Sequence, residues 1–341
     1  MAKYKQYPAV DLGKYICALL VVAIHTYPFI DISPSFHLFF LSTICRLAVP
    51  FYFVCSSFFL FRKIRGPQIK DGSAKQIITA YLKRIGILYL IWAVIFIPYT
   101  LYDYSKVGFS IGGLLGWIRN FLLNGSYYHL WFLPALMLAT VIVWWLYKRK
   151  GLLQTLLVCL ALYGVGWLLN VFGPFWETLP GVKIVYGFYM QLFGTARNGI
   201  FFAPMFVALG LMLSRTGKPN LKASATGFAI SFFCLILEVT LYAALGVLSE
   251  QTCIDLFLIP ATYFLFVLLT RISLPNKPVY RQMRQDSTLI YVSHMLFVPL
   301  LLMIFPNVHL VVWLAAIALS QLLSSVIIRE SEKYRWLKWL M

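Results

Sequence analysis

Ten stretches of mostly apolar residues, each about 20 residues long, constrain this chain more than any motif does, because that is the length a helix needs to cross a bilayer. They run approximately over 9–30, 37–61, 79–102, 129–147, 152–173, 198–214, 223–247, 252–270, 285–305 and 308–328. Composition agrees. Of 341 residues, 61% are hydrophobic and 12% charged, and the mean hydropathy is +0.81, too apolar to wet a soluble domain. The first stretch is long and no small-residue cleavage site follows it, so it is expected to stay as a span rather than leave as a signal peptide. No repeat, low-complexity tract or long linker divides the chain. The expected fold is an all-α integral membrane protein, a bundle of about ten transmembrane helices, with residues 1–341 forming a single transmembrane domain.

The basic residues test this count. If the ten stretches alternate across the membrane, 23 of the 29 Lys and Arg fall at the N-terminus, in the even-numbered connections and at the C-terminus. Lys106, Arg119, Lys183 and Arg197 fall on the opposite side, and Lys14 and Arg46 lie within spans. So skewed a split follows the positive-inside rule with both termini cytoplasmic. It also accounts for the net charge of +18 through topology and anionic lipid headgroups, with no nucleic-acid partner. Cys17, Cys45, Cys55, Cys159, Cys234 and Cys253 all lie in apolar stretches without disulfide or metal-ligand spacing, so they are expected to be reduced, and no metal is expected.

Two connections on the less basic side are long and half-apolar. Residues 111–123 carry Trp117 and Arg119, and 174–197 reads PFWETLPGVKIVYGFYMQLFGTAR. Both are expected as interfacial or re-entrant segments, together roofing a cavity on the outer side.

The first span, DLGKYICALLVVAIHTYPF from Asp11 to Phe29, carries three polar groups. At about 100° per residue, Lys14 and His25 are three turns apart on one line, separated by about 16 Å, and Asp11 lies within about 60° of it. Charges at that depth are costly unless they face a bundle interior, a partner or a water-filled cavity. The stripe therefore faces inward, with Lys14 near the inner leaflet and His25 in the outer half. Plainer readings stand beside it. His25 suits a buried structural histidine, Lys14 a snorkelling anchor, and Asp11 a first-turn cap or an i+3 partner of Lys14.

In CRLAVPFYFVCSSFFLF, Arg46 lies mid-span, and Pro50, four residues on, cannot donate to its carbonyl, so a bend is expected there. An ion pair with Glu238 or Asp255 is the structural alternative for Arg46. His129 and Trp131 sit at the outer mouth of the fourth span, where they are candidates for acceptor binding although aromatic belts are ordinary there. Arg197 and Asn198 precede the sixth span on the outer side, placed to contact an anionic acceptor. Tyr291 and His294 lie in the ninth span, as candidates for acceptor binding or for structural bonds to neighbouring helices, and His37 and His309 read as outer-surface residues.

The acid, basic residue and histidine of the first span, RLAVPFYFVCSS in the second, YYHLWFLPAL opening the fourth and STLIYVSHMLF opening the ninth together resemble acyltransferase family 3, over nearly the whole chain. Within it, the chain is similar to standalone O-acetyltransferases of bacterial surface polysaccharides. It is also similar, at TARNGIFFAPMFVALG, to the membrane domain of vancomycin-resistance serine racemases, although no racemase domain is expected after Met341. The resemblance implies a bacterial cytoplasmic-membrane enzyme moving an acyl group, usually acetyl, from cytosolic acyl-CoA such as acetyl-CoA to a hydroxyl or amine of a cell-envelope glycan or small-molecule acceptor. The family's basic residue and histidine fall on Lys14 and His25, and its second-span arginine on Arg46.

Two positions depart from the family pattern: lysine stands where arginine is commoner, and Ser57 where a glycine is usual. In this scheme His25 is the candidate general base, Glu238 or Asp255 its orienting acid, and Arg46 a stabiliser of the thioester oxyanion or a clamp on the pantetheine. Lys14, near Asp11, together with Lys83 and Arg84 would meet CoA phosphates, although topology alone also accounts for Lys83 and Arg84. The rival class is a transporter or exporter of a small amino acid such as serine, since buried cations beside broken helices suit a carboxylate equally well.

Overall fold

The computed structural model describes residues 6–64, 68–69, 72–108 and 110–341; Lys3, Lys5, Arg65 and Lys70 of the charge pattern lie outside the described residues. The elements are helices α1 (Pro8–Thr26), α2 (Pro34–Thr43), α3 (Ala48–Phe61), α4 (Ala74–Ile95), α5 (Ile97–Val107), α6 (Ile111–Leu123), α7 (Phe132–Val171), α8 (Gly173–Trp176), α9 (Pro180–Phe193), α10 (Ala203–Arg215), α11 (Leu221–Ala244), α12 (Leu258–Arg271), α13 (Pro278–Ser293), α14 (Val298–Ile304) and α15 (His309–Glu330). Short 3-10 turns occupy Cys45–Leu47, Tyr128–Trp131, His294–Leu296 and Arg335–Leu340. No strand occurs among the described residues. Proline stands first in α1, α2, α9 and α13 and second in α10, where its missing N–H costs nothing.

Among the described residues, six helical segments are long and apolar enough to cross a membrane, or seven if α13 and α14, bent by 48°, count as one. The difference from ten has physical causes. The fourth and fifth stretches run together as Tyr128–Val171, interrupted at Gly151, whose φ of 78° and ψ of −179° leave the helical region. The sixth and eighth stretches form α10 and α12, of 13 and 14 residues, each short of a full crossing. The second stretch breaks at the Cys45–Leu47 turn, ahead of Pro50, so Arg46 lies at a junction between helices and not inside one. Pro50 falls in the first turn of α3, which tolerates it.

The helices divide into two compact units. The first comprises Met1–Cys55, Gly217–Leu241 and Phe257–Met341. Its core is α1 against α13, with α15 packing on both and the Cys45–Leu47 turn packing on α1 and α12. Polar ties from distant segments fix α1. The Tyr52 hydroxyl donates to the Lys14 carbonyl at 2.6 Å, the Trp313 indole to the Leu19 carbonyl at 3.1 Å, and the Tyr15 hydroxyl to Gln321 Oε1 at 2.9 Å. Between α15 and α13, the Ser324 hydroxyl donates to Asp286 Oδ1 at 2.6 Å.

The second unit comprises Ser56–Thr216 and Tyr242–Leu256. Here α7 packs against α10 and α4, and α6 against α9. The Arg119 guanidinium donates to the Gln191 carbonyl at 2.8 Å and Asn124 Nδ2 to the Phe193 carbonyl at 2.8 Å, so the two half-apolar connections are joined end to end. With residues 100–104 and 124–131 they wall a cavity of about 410 Å³. All six cysteines are free thiols.

Candidate active site

Helix α1 ends where its polar residues gather. Tyr27, whose N–H donates to the Ala23 carbonyl at 3.1 Å, takes a left-handed conformation with φ of 53°, unique among the described non-glycine residues. A bulky residue held there stores strain of order 1–3 kcal/mol, which persists only where surroundings over-determine it. Those surroundings are histidines. The Tyr27 ring meets His37 at 5.4 Å and His309 at 6.4 Å, both edge-on. His37, read from the sequence as a surface residue, is 2% exposed. His309 is no ordinary surface residue either: its Nδ1 donates to the Thr26 carbonyl at 2.8 Å and its backbone N–H to Asp31 Oδ2 at 2.7 Å. Nothing local in the sequence marks these contacts, because His309 reaches Thr26 across 283 residues.

His25, one residue before Thr26, is half-buried, and its ring stacks on His294 with centroids 5.2 Å apart and planes 23° apart. His294 is completely buried, and its Nδ1 lies 3.0 Å from the Ile290 carbonyl. A carbonyl only accepts, so Nδ1 carries the proton and the ring is held in one orientation. Tyr291, 6% exposed, lies 6.4 Å from Tyr52, the residue that binds the Lys14 carbonyl. The first unit thus brings together His25 and His294, with Tyr291 and Lys14 tied to the same frame through Tyr52.

The other expected residues take varied places. Arg46 is 6% exposed in its 3-10 turn on α1. Asp11, inside the first turn of α1, makes no capping bond; its carboxylate meets Arg284 at 3.8 Å. Glu238 Oε2 accepts from the Phe257 N–H at 2.9 Å and so holds the start of α12. In the second unit, the buried Asp255 offers its carbonyl to the Tyr163 hydroxyl at 2.7 Å, and Lys83 and Arg84 are exposed on α4.

His129 is 1% exposed, edge-on to Phe96 at 4.8 Å, and Asn198 is spent on its own turn, donating to the Thr195 carbonyl and accepting from the Ile200 and Phe201 N–H groups. Trp131 and Arg197 line the cavity, the guanidinium 4.9 Å over the indole. Arg215, counted in the sequence only toward topology, donates to the Ile64 carbonyl at 2.6 Å. Its Nε and Nη2 are buried without a hydrogen-bond partner among the described residues. No cluster of three or more His, Cys, Asp or Glu suited to a metal occurs among the described residues.

A family model described as an acyltransferase domain matches residues 7–329. The chain belongs to this acyltransferase family. The match takes in both units, including His25, Arg46 and His294. Among curated proteins, this acyltransferase-family chain is 30% identical over 271 residues to an amino-acid racemase of Enterococcus faecalis, covering 79% of the chain and 36% of that protein. It is also 30% identical over 268 residues to a serine/alanine racemase of Enterococcus gallinarum, covering 77% and 37%. The chain thus spans about a third of the length of these relatives. No solved structure matches it. It is a helical acyltransferase-family protein with several membrane-crossing segments.

Proposed function

We propose that this chain transfers an acyl group, acetyl first among candidates, from acyl-CoA to a hydroxyl or amine of a cell-envelope glycan or small-molecule acceptor. The stacked His25–His294 pair, in a chain of an acyltransferase family, carries this reading. An acceptor hydroxyl is a weak nucleophile, and a positioned imidazole that takes its proton during attack is the usual remedy. In the proposed step His25 accepts that proton as the acceptor oxygen or nitrogen bonds to the thioester carbonyl carbon. The tetrahedral intermediate then collapses, the C–S bond breaks, and the CoA thiolate leaves and recovers the proton from His25. His294 is proposed as a positioning residue, a flat ring fixed by the Ile290 carbonyl against which His25 is held. That part was expected of Glu238, whose carboxylate is engaged with α12. Arg46 is proposed to stabilise the oxyanion, and Lys14 to meet a CoA phosphate.

Ten crossings with both termini cytoplasmic fit this reading best. Tyr128–Val171 has 44 residues, about 66 Å at a helix's rise and twice the hydrocarbon thickness. Its Lys148, Arg149 and Lys150 immediately precede the Gly151 break, as a connection at a membrane face requires. We count it as two crossings, α10 and α12 as short ones, and α13–α14 as one. Cysteines placed at Lys75 and Lys218 are then shielded from an impermeant thiol reagent in intact cells, while one at Lys183 labels; labelling of the first pair overturns the orientation.

The deciding experiment is acyl-CoA consumption by the purified protein with envelope glycan fragments as acceptors, read as free CoA thiol and as acyl mass added to the glycan. Thiol release dependent on acceptor and on His25 supports transfer. No consumption by the wild type, with uptake of a small amino acid into proteoliposomes instead, replaces it by transport.

A further inference from the structure

The cavity of the second unit has a chemistry of its own. Its 410 Å³ lies within the range of ligand pockets, roughly 300–1,000 Å³. Two of its lining residues are Arg119 and Arg197, half of the four basic residues on the less basic side of the chain. That side is where the positive-inside rule depletes cations, so topology does not account for two arginines meeting there. Neither makes an ion pair among the described residues. Arg119 is held rigidly by Asn120 Oδ1 and the Gln191 carbonyl. Arg197 lies over Trp131 with its Nε buried and without a hydrogen-bond partner among the described residues. Against these two charges the lining supplies one carboxylate, Asp103, so the cavity is left with one net positive charge.

The walls complete the pattern. The Trp117 indole N–H is a buried donor without an acceptor among the described residues, and Asn124 Oδ1 a buried acceptor without a donor. Asn124 spends its amide nitrogen on Asn120 and the Phe193 carbonyl, so the oxygen assignment is fixed by its bonds. A hydroxyl both donates and accepts and satisfies either group. Trp117, Tyr127 and Trp131 give the lining an aromatic share, of the kind that packs against an apolar ring surface. Tyr127 stacks on Phe96 at 5.0 Å. Its burial, with the Asp103 charge nearby, pushes the phenol up to about 12, so it stays protonated and neutral.

We propose that this cavity binds an anionic saccharide, its carboxylate or phosphate on Arg197 and Arg119, its hydroxyls on Trp117 and Asn124, and its ring on the aromatic walls. An anion shared between a guanidinium fork and ring hydroxyls explains why arginine, and not lysine, stands at both cationic positions. The proposal does not depend on acyl transfer, since it concerns binding alone.

The test is equilibrium binding to the full chain in lipid nanodiscs without acyl-CoA, comparing D-glucuronate and D-glucose 1-phosphate with D-glucose. At least one anionic sugar is expected to bind about tenfold or more tightly than glucose, the worth of one charge-assisted hydrogen bond. Arg197→Gln is expected to bring that ratio within about twofold, Arg197→Lys to restore part of it, and Trp117→Phe to weaken all three sugars alike. Anionic sugars binding no better than glucose, or no sugar binding at all, overturns the proposal, as does a ratio unchanged in Arg197→Gln. The wild-type comparison decides the matter even if a variant fails to fold.

Discussion

The frame around α1 in the first unit and the cavity of the second put their polar groups to different use. Around α1, donors from far along the chain are spent on backbone carbonyls: Tyr52 on Lys14, Trp313 on Leu19 and His309 on Thr26. On residues that line the cavity, a buried guanidinium Nε, indole N–H and amide oxygen are without hydrogen-bond partners among the described residues. Unmet buried groups cost on the order of 1–3 kcal/mol each, so they persist where something offsets them. The first arrangement is a fixed frame suited to holding one imidazole in place; the second is suited to recognition. The contrast teaches that polarity in a membrane chain takes two forms, long-range ties onto one helix and a charged lining around a cavity.

The largest test of this contrast is His25→Ala. Loss of a general base costs about a hundredfold or more in transfer, and acyl-CoA binding and expression are expected to survive. His25→Gln should fail equally, because an amide hydrogen-bonds but does not take the proton. Glucuronate binding should not change in either variant. Near wild-type transfer by purified His25→Ala would remove the catalytic half of the comparison.

The contrast also shows what a single sequence discloses. The polar stripe of α1 was legible because Lys14 and His25 break an apolar run, and the cavity roof because 111–123 and 174–197 are half-apolar, charged and aromatic. The break near Arg46 was visible through Pro50, although the turn precedes it. What stayed hidden depends on contacts between remote segments. His37 looked superficial until Tyr27 covered it, Asp11 found Arg284 rather than a cap, and Glu238 was committed to a backbone N–H 19 residues away. Hydropathy parts the fourth and fifth stretches at the Gly151 break, but it does not show the early ends of α10 and α12, which are shorter than the stretches that contain them.

Gly125→Ala comes next in size. Gly125 has a φ of 91°, and a Cβ there would stand 2.5 Å from the Trp131 nitrogen and 2.8 Å from the Leu130 carbonyl carbon, both backbone. No side-chain rotation relieves that contact, so the turn from Asn124 to Trp131 must move. Strain of about 1–3 kcal/mol is expected as a lower melting temperature, together with weaker glucuronate binding because Trp131 and Tyr127 shift with the turn. Retained stability and binding would mean that this cavity wall is not rigid. Tyr52→Phe applies the same question to the first unit. It removes one hydrogen bond to the Lys14 carbonyl and leaves the ring in place, for a cost of about 1 kcal/mol. Transfer should fall only a fewfold if the frame is shared among several such ties, whereas a collapse comparable to His25→Ala would promote the Tyr52 hydroxyl from frame to chemistry.

The smallest expected effect is at Lys14, and it bears on whether the frame of α1 also carries a binding function like the cavity's. Its carbonyl is occupied by Tyr52, but the side chain is half-buried and extends from the stripe that includes His25. An ammonium meeting a CoA phosphate near the membrane face is partly solvated, and such pairs contribute about 0.2–1 kcal/mol. Lys14→Ala is therefore expected to weaken acyl-CoA binding only a fewfold, and the loss should shrink as salt is raised, because screening acts on solvated charges. Lys14→Arg should bind at least as well as wild type, since the charge is kept and a guanidinium fork suits phosphate. Because the backbone tie to Tyr52 survives both substitutions, thermal stability should hold steady. Unchanged affinity in Lys14→Ala at low salt would reduce the side chain to an anchor at the membrane face, and leave His25 as the only chemically active member of the stripe.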